Sequence, residues 1–451
     1  MPASLVSFNE EGTPRPRTDD PSTGSGYDSR ETYLDWCTIH ETLRAPRKLA
    51  QVGSCWSVVG GSVRVDCVRL LFVSNPGFGH VQPMLPLAKA CQAGGHDVLW
   101  ATGADACSRI EQVGIPAVPI GITGPSALPE YRRRYPEAAA LTGEDIAAHM
   151  FPRLFGEIFA PPMVRDLLEP ARHWAPDLVV HEASAFAGPL IAASVGVRHV
   201  THSFGDAIPA DRLAAAAQQV APLWEAAGLD PPAFGGNGEH LYLDIYPRSL
   251  QPQLPDYIQR LQPLRPVPFD AVPGDALPLG VPPPGTGPLV YLTLGTVFAD
   301  SFVLRSAAAA IAALGVRLVV TVGPRGDPSV IDTAGLGVVV ERYIPQTLLF
   351  EHCDAVVSHA GSGTFLGSLS RSLPQVCVPQ AADQFRNAAR CSRAGAGITL
   401  VGDPANNEPL GAAVARVLED PSFRLAAELV GDEIAAMPTP EVVANALEDL
   451  D

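Results

Sequence analysis

The sequence predicts an α/β protein built from two doubly wound domains. Short, predominantly apolar runs such as 68–74 alternate with helical segments, which is typical of parallel strands buried on both faces. Glycine-rich turns follow two of these runs, at 75–83 and 359–364. A stretch rich in Pro and Gly, 272–288, separates two successive series of strands and helices. Together these observations indicate two parallel-sheet domains joined by a linker.

The first domain is predicted over residues 68–272. Its strands are expected at 68–74, 97–102, 177–181, 198–202 and 241–246, and a further short strand is expected after a helix end within 110–120. The strand at 241–246 would complete the sheet. Its helices are expected at 83–93, 150–159, 183–195 and 207–229, whereas the polar, Pro- and Gly-containing segment 121–141 predicts a long loop. Residues 1–67 differ in composition and are predicted to be a largely disordered leader, part of it upstream of the native start.

The second domain is predicted over residues 289–436, after a linker at 273–288. Its strands are expected at 289–294, 317–322, 337–341, 354–358 and 375–379. Its helices are expected at 303–314, 408–419 and 421–436, and a final helix is expected within 437–451. The chain therefore repeats one alternation of strands and helices in each half.

The composition limits the classes of partner. The chain has 451 residues, of which 47% are hydrophobic, and a formal net charge of -17. This charge disfavours nucleic acids and anionic membrane surfaces as partners. No run reaches ~18 consecutive apolar residues, so no membrane-spanning helix is expected. None of the eight cysteines forms a Cys-x-x-Cys pair, which favours a reduced, cytoplasmic protein over a zinc or dithiol site.

The turn 359–364, with the sequence HAGSGT, is suited to phosphate binding. Gly361 and Gly363 lack a Cβ, so main-chain amides can approach a ligand closely. The helix expected from about Thr364 presents unpaired N–H groups and the positive end of its dipole, a combination that binds phosphate. The alternative is a plain strand–turn–helix with glycines for packing, because isolated Gly-x-Gly turns are common in α/β folds.

The turn at 75–83 differs from a dinucleotide fingerprint. Gly77 and Gly79 are followed by Gln82 where the third glycine would stand, and the strand 97–102 ends without an acidic residue. NAD and FAD are therefore not expected. His80 lies at the strand-to-helix turn of this segment, where a histidine that only caps a helix is the alternative to a catalytic one.

A metal site is also not expected in the first domain. His181, His199 and His202 alternate along two predicted strands without a pair of ligands at helical spacing.

The stretch 343–384 resembles the nucleotide-sugar site of family 1 glycosyltransferases, which have the GT-B fold, and most of all the actinobacterial enzymes that glycosylate natural products. The shared pattern is aromatic-x-Pro-Gln at 343–346, His-x-Gly-x-Gly-Thr at 359–364 and Asp-Gln at 383–384. The family usually has Trp at the aromatic position, where this chain has Tyr343. The resemblance covers about residue 68 to the C-terminus and implies two Rossmann-like domains that face each other across a cleft.

The resemblance implies a donor site in the second domain and an acceptor site in the first. The residues expected to bind the donor are Thr296, Tyr343, Ile344, Gln346, His359, Gly361, Ser362, Gly363, Thr364, Asp383 and Gln384. Tyr343 would stack on the base, Gln346 would bond the nucleoside, and Asp383 with Gln384 would receive sugar hydroxyls. Thr296 and the 359–364 turn would hold the diphosphate. The final helix would return to the first domain.

The catalytic residues implied by the resemblance lie in the first half. The segment 79–83, GHVQP, resembles the one that carries the family's base, so His80 would take a proton from the acceptor. Glu182 stands where the family has an acidic partner for this base, often Asp. The activity implied is an inverting, metal-independent transfer from a UDP- or dTDP-sugar, with no bound cofactor, to an apolar natural-product aglycone. The apolar stripe at 150–159 indicates either core or part of the acceptor pocket.

Two other functions stay open at this point. One is a nucleotide-sugar epimerase of the same fold, which needs no acceptor. The other is a non-catalytic partner of a glycosyltransferase, against which the pairing of His80 with Glu182 argues because a binding module needs neither. The expected partners are a nucleoside-diphosphate sugar and a small-molecule aglycone, with no nucleic acid and no integral membrane association, and a homodimer is left open.

Overall fold

The structure is a computed structural model. It describes residues 67–271, 274–281, 283, 287–295, 301–324, 326–331, 338–401 and 407–447. The predicted leader before Cys67, parts of the predicted linker and Thr296 lie outside these residues.

The first half of the chain forms a sheet of seven parallel strands in the order β3-β2-β1-β4-β5-β6-β7. The strands are β1 Arg69–Val73, β2 Asp97–Thr102, β3 Ala117–Pro119, β4 Leu178–Glu182, β5 Arg198–His202, β6 Leu241–Asp244 and β7 Leu261–Pro263. Strand β1 is 1% exposed or less from Leu70 to Val73, as expected for a strand covered on both faces. The prediction that 241–246 completes the sheet is wrong, because β7 pairs with β6 beyond it.

The second half forms a sheet of six parallel strands in the order β10-β9-β8-β11-β12-β13. The strands are β8 Leu289–Thr293, β9 Arg317–Thr321, β10 Val338–Glu341, β11 Ala355–Ser358, β12 Gln375–Cys377 and β13 Gly397–Thr399. Strand β13 was not predicted; only its Ile398 is a bulky apolar residue. Both sheets are all-parallel, and helices connect most of their consecutive strands, so the predicted α/β class with two doubly wound domains is confirmed.

The helices connect these strands. They are α1 Phe78–Val81, α2 Leu85–Ala93, α3 Ala104–Gln112, α4 Gly124–Arg134, α5 Gly143–Phe151, α6 Ala160–Trp174, α7 Ala187–Val195, α8 Ala210–Ala226, α9 Ser301–Ala312, α10 Gln346–Leu349, α11 Ser362–Leu369, α12 Gln384–Arg393, α13 Asn407–Glu419, α14 Pro421–Ala436 and α15 Pro440–Ala446. Residues Pro152–Phe159 form a π-helical segment that joins α5 to α6. Within the described residues, no helix combines the length and apolarity needed to cross a bilayer.

The predicted loop at 121–141 is wrong, since α4 and a 3₁₀ turn, Pro136–Ala140, occupy it. Ala127 and Tyr131 are each 2% exposed and four residues apart, which gives α4 a buried face. Glu130 pairs with Arg133 and Arg134 at helical spacing. The prolines and glycines of the segment hid this periodicity.

Both halves contribute to one hydrophobic core. A single cluster of buried residues contains Leu70 of β1 and Phe365 of α11, and it extends to Val443 of α15. Helix α15 packs against α2 of the first half. The main-chain N–H of Arg265 donates to Pro438 O at 2.8 Å at the entry to α15. Helix α15, which follows the second sheet, therefore packs on the first half of the chain.

Candidate active site

The strand order creates one crevice in each sheet. Strand β1 lies between β2 and β4, and β8 lies between β9 and β11. The order of strands therefore reverses between β1 and β4 in the first sheet and between β8 and β11 in the second. In open parallel sheets, ligands bind beyond the carboxyl ends of such strands. His80 follows β1 and Glu182 ends β4; Gly295 follows β8 and His359 follows β11. The topology thus puts the two predicted motif pairs at the two crevices.

The imidazole of His80 contacts the carboxylate of Glu182. Nδ1 of His80 lies 3.2 Å from Oε1 of Glu182. The His80 side chain is 19% exposed and that of Glu182 is fully buried. A carboxylate oxygen only accepts, so the facing Nδ1 carries the hydrogen and Nε2 is the basic nitrogen of the ring.

Two polar residues that the sequence analysis did not single out hold Glu182 in place. Asn75 donates to Oε1 from its side chain at 2.7 Å and from its main-chain N–H at 3.3 Å. Ser184 donates from its main-chain N–H to Oε2 at 2.6 Å, and its hydroxyl lies 2.9 Å from each oxygen. Asn75 follows β1 and Ser184 follows β4. Their positions directly after two parallel strands could have predicted that both lie at the same sheet edge as Glu182.

These contacts decide the charge of Glu182. Burial alone would raise the pKa of its carboxyl group. The charge and hydrogen bond of His80, together with the hydrogen bonds from Ser184, outweigh burial and leave the pKa below its usual value. Glu182 is therefore ionised at neutral pH, which is the form that orients and charges a histidine base.

Aromatic rings enclose the other side of His80. The ring centroid of Phe204 lies 4.7 Å from that of His80, and the centroid of Phe155 lies 5.2 Å away. Phe155 belongs to the π-helical segment, and its ring is 5.2 Å from Phe151 and 6.1 Å from Phe159. The aromatic stripe predicted at 150–159 therefore continues from the core to the edge of His80.

The imidazole ring of His359 packs against Gly295 and Gly361 and leaves no space for a side chain at either position. A Cβ on Gly295 would come 2.7 Å from the imidazole, and a Cβ on Gly361 would come 2.5 Å from its Nε2. Burial lowers the pKa of His359 to about 4, so the ring is neutral at pH 7. Ala360 next to it has φ 61°, a left-handed conformation that costs energy for a residue with a Cβ. Such strain is common where the main chain forms a ligand site.

The helix α11 begins at this turn, with Gly361 as its N-cap and no side-chain capping bond. Gly363 is exposed, and no atom lies within 4 Å of the position where its Cβ would stand. Space for a ligand therefore remains over the first turn of α11, where the N–H groups and the positive dipole end meet.

Ser362 and Asp383 contact each other directly. The hydroxyl of Ser362 donates to Oδ2 of Asp383 at 2.6 Å, and Nδ2 of Asn387 donates to the same oxygen at 3.0 Å. Burial, followed by the negative charge of Asp206, raises the pKa of Asp383 against these hydrogen bonds and the charge of Arg386. Asn387 was not predicted, although it lies one helical turn after Asp383.

The remaining predicted donor residues are distributed between the surface and the core. Tyr343 is 37% exposed, whereas Ile344 is 1% exposed, so only the main chain of Ile344 is available to a ligand. Gln346 donates to Thr364 Oγ1 at 3.0 Å. The buried Gln384 accepts from the main-chain N–H groups of 380 and 381 through its Oε1, at 2.8 and 2.9 Å. Gln384 therefore shapes the loop that precedes Asp383.

Contacts across the cleft were missed entirely. Asp206, whose side chain is 2% exposed, accepts from Arg386 at 2.7 and 3.0 Å and from Arg390 at 2.6 Å. Arg109 reaches the hydroxyl of Tyr343 at 3.3 Å from the first half. These pairs join residues more than 170 positions apart, so no local pattern indicates them.

The comparisons with known proteins agree with this geometry. The family profile described as "Erythromycin biosynthesis protein CIII-like, N-terminal domain" matches residues 89–223, and that of the C-terminal domain matches residues 306–450. The chain is 32% identical over 385 residues to the L-demethylnoviosyl transferase of Streptomyces niveus, covering 84% of this chain and 97% of that protein.

Two solved structures show the same fold. The glycosyltransferase SnogD from Streptomyces nogalater superposes with a TM-score of 0.68 at 30% identity, over 85% of this chain and 99% of that one. SsfS6 from Streptomyces sp. SF2575, complexed with thymidine diphosphate, superposes with a TM-score of 0.69 at 27% identity, over 84% and 99%. The chain therefore belongs to the erythromycin biosynthesis protein CIII-like glycosyltransferases, family 1 enzymes of the GT-B fold that act in antibiotic biosynthesis.

Proposed function

We propose that the enzyme transfers a sugar from a thymidine- or uridine-diphosphate sugar to a hydroxyl of a small apolar aglycone, with inversion at the anomeric carbon. The diphosphate part is supported by the family and by SsfS6, whose structure holds thymidine diphosphate. The acceptor part is supported by the aromatic rings of Phe155 and Phe204 beside His80. Such rings suit a flat or greasy aglycone better than a sugar.

The observation that carries this proposal is a run of three residues, 204–206, that contacts both halves. Phe204 packs on His80, Gly205 lies against Ser362, and Asp206 pairs with Arg386. A Cβ on Gly205 would come within 3.0 Å of Ser362 and 3.4 Å of Asp383. Consecutive Cα atoms are about 3.8 Å apart. Residues 204–206 therefore connect the acceptor side, at His80, with the proposed sugar and phosphate contacts, at Ser362 and Asp383.

In the proposed reaction, His80 acts as the general base. Its Nε2 takes the proton of the acceptor hydroxyl as the oxygen forms its bond to the anomeric carbon. The bond from that carbon to the phosphate oxygen breaks in the same step, and the nucleoside diphosphate leaves with the electron pair. Glu182 holds the Nδ1–H tautomer and stabilises the imidazolium that forms. One displacement from the opposite face inverts the carbon.

The donor is proposed to lie on the second sheet. Tyr343 stacks on the base, and Gln346 with the main chain of Ile344 contacts the nucleoside. The diphosphate lies over the start of α11, held by Thr296, His359, Ser362, Thr364 and the Gly361 and Gly363 amides. The unsatisfied N–H groups there stabilise the charge that develops on the leaving group.

Asp383 is proposed to accept hydrogen bonds from sugar hydroxyls, since its carboxylate is held beside the phosphate turn. Gln384 assists, and because its Oε1 is engaged by the loop amides, it has its amide N–H groups to offer. Both contacts would fix the sugar with its anomeric carbon toward His80.

The test is acceptor-dependent release of nucleoside diphosphate. The purified enzyme is incubated with thymidine- and uridine-diphosphate sugars, with and without a panel of polyketide aglycones, and products are detected by mass. The anomeric configuration of the product is then read from its proton coupling constants. Conversion of the donor to another sugar nucleotide without acceptor would favour an epimerase. Donor binding without any turnover would favour a non-catalytic partner. A product with retained configuration would contradict the single displacement.

The proposal also includes the bounds of the two domains and the cellular compartment of the reaction. We place the acceptor domain at 68–272 and the donor domain at 289–436, and the reaction in the cytoplasm, where sugar nucleotides and reduced thiols are found. All six cysteines within the described residues are free thiols. Size-exclusion chromatography measures whether the enzyme is a monomer or a homodimer.

A further inference from the structure

A second polar cluster lies at the end of the first sheet remote from the cleft. We call His199, Glu239 and His240 the distal cluster. His199 is the second residue of β5, and Glu239 and His240 directly precede β6. One ligand atom from each of the three side chains lies within 4.8 Å of the other two. Parallel strands advance about 3.3 Å per residue, so the distal cluster is roughly 10 Å from the carboxyl end of β5 where the cleft begins.

A chain of polar contacts runs from the main chain of β4 to this cluster. Nδ1 of the buried His181 lies 3.1 Å from the main-chain oxygen of Glu182. A carbonyl oxygen only accepts, so Nδ1 carries the hydrogen, and Nε2 of the neutral ring is an acceptor. That Nε2 faces Nδ1 of His199 at 3.2 Å. The hydroxyl of Thr201 lies at the same distance, 3.2 Å, from this Nε2. In the tautomer of His199 whose Nδ1 donates to His181, the lone pair of a neutral His199 ring is on Nε2.

With this tautomer, the lone pair of His199 Nε2 faces other acceptor atoms, and no hydrogen atom lies between them. Nε2 of His199 lies 3.4 Å from Oε2 of Glu239. Nδ1 of His240 is buried and has no hydrogen-bond partner in the described part of the chain. Facing acceptors repel unless a cation lies between them. The ligands of a tetrahedral zinc ion, bound at about 2.0–2.1 Å, are about 3.3 Å apart, which matches the distance seen.

We propose that His199, Glu239 and His240 bind one divalent transition-metal ion of the zinc class, outside the catalytic cleft. Two imidazoles and one carboxylate are ligands that zinc prefers. His199 is 2% exposed and is held from behind by His181, as outer hydrogen bonds hold most metal-binding histidines. The Glu239 side chain is 52% exposed, which leaves a path from solvent and room for a water as fourth ligand. This site is independent of the proposed glycosyl transfer.

The experiment is a titration of the full chain with zinc alone. The protein is treated with EDTA, exchanged into metal-free buffer and titrated with zinc chloride in a calorimeter. We expect one equivalent per chain, and at least a tenfold loss of affinity in each of E239Q and H240A. Both residues are partly exposed, so both variants should fold. Cobalt should give the visible absorption of a tetrahedral ion in the wild type and not in E239Q or H240A.

The matched control is E137Q. Glu137 also faces a histidine, His149, at 3.9 Å, but without a second imidazole. This variant should bind zinc as the wild type does. The rival occupant is a proton, which would make His199 an imidazolium paired with Glu239. If the wild type takes up no zinc, or if E239Q and H240A bind it as tightly as E137Q does, the metal site is wrong. Turnover should be the same with and without zinc, because the site lies outside the cleft. Neither the presence nor the absence of zinc binding therefore tests the proposed glycosyl transfer.

Discussion

The proposed base and its partner can be tested as a unit with the variants H80A, E182Q and the double variant. Removing His80 leaves the acceptor hydroxyl without a general base, and such bases contribute about 10²–10⁴-fold to turnover. This corresponds to about 3–5 kcal/mol of activation free energy. The loss should appear in kcat, because every proposed donor contact lies in the second half of the chain.

The structure sets the size of the E182Q effect. Each oxygen of Glu182 accepts from Ser184, and Oε1 also accepts from Asn75 and faces His80. A glutamine must turn its NH₂ group toward one of these sets of donors. At the position of Oε2, the NH₂ group faces the main-chain N–H of Ser184, and two donors oppose each other. At the position of Oε1, it donates to Nδ1 of His80, and the hydrogen of the ring moves to Nε2. Hydrogen bonds to charged groups are worth about 1.5–3 kcal/mol, so a loss of about 10- to 100-fold is expected.

The assay is a double-mutant cycle on kcat/KM with any accepted aglycone. Because both residues serve one proton transfer, the double variant should be little slower than H80A alone. Thymidine diphosphate should bind all three variants with wild-type affinity in a calorimeter, which shows that the fold is intact. D177N is the matched control, since Asp177 precedes the same strand at its amino end and is half exposed.

Two results would refute this reasoning. In one, the losses of the two single variants multiply in the double variant. In the other, H80A keeps near-wild-type turnover, and the base must then lie elsewhere.

Four further outcomes are expected. D383N should raise the KM for the sugar donor by about tenfold or more while thymidine diphosphate binds as before; equal losses in calorimetry would remove Asp383 from the sugar. D206N should weaken donor use, because a neutral side chain pairs poorly with Arg386 and Arg390, and unchanged kinetics would show that these bonds do not matter. Burial raises the pKa of Asp244 from its ordinary 3.8 to about 7, so the stability of the wild type falls as pH rises between these values. D244N should therefore gain stability relative to the wild type between pH 5 and pH 8, and identical differences in urea unfolding at both would contradict this. EDTA should leave turnover unchanged, because the phosphate turn offers amides, hydroxyls and an imidazole; loss that magnesium or manganese restores would overturn this.

The sequence alone determined the class of fold and the positions of the candidate site residues along its strands. Continuous apolar runs such as 289–294 must be covered on both faces, which requires parallel strands with helical crossovers. Glycines at 361 and 363 and the histidines at 80 and 359 follow such runs directly. The carboxyl ends of the strands of a parallel sheet share one edge. Residues that directly follow these strands therefore lie at that edge, where the crevices are.

The sequence failed where a segment takes its structure from distant contacts. Helix α4 was predicted as a loop because Pro and Gly obscured a face that only burial of Ala127 and Tyr131 reveals. Strand β7 has only intermediate burial, and its hydrogen bonds to β6 define it more than its composition does.

Only the tertiary structure decided how the candidate site is supported. Asn75 and Ser184 are ordinary polar residues until the fold brings both to Glu182, whose buried charge requires them. Asp206 meets Arg386 and Arg390 from 180 or more positions away, and the distal cluster joins a residue of β5 to two residues that precede β6. Local sequence records propensity and periodicity, which fix strands and turns. The partners of a buried charge are fixed by which chain segments the packed core places side by side.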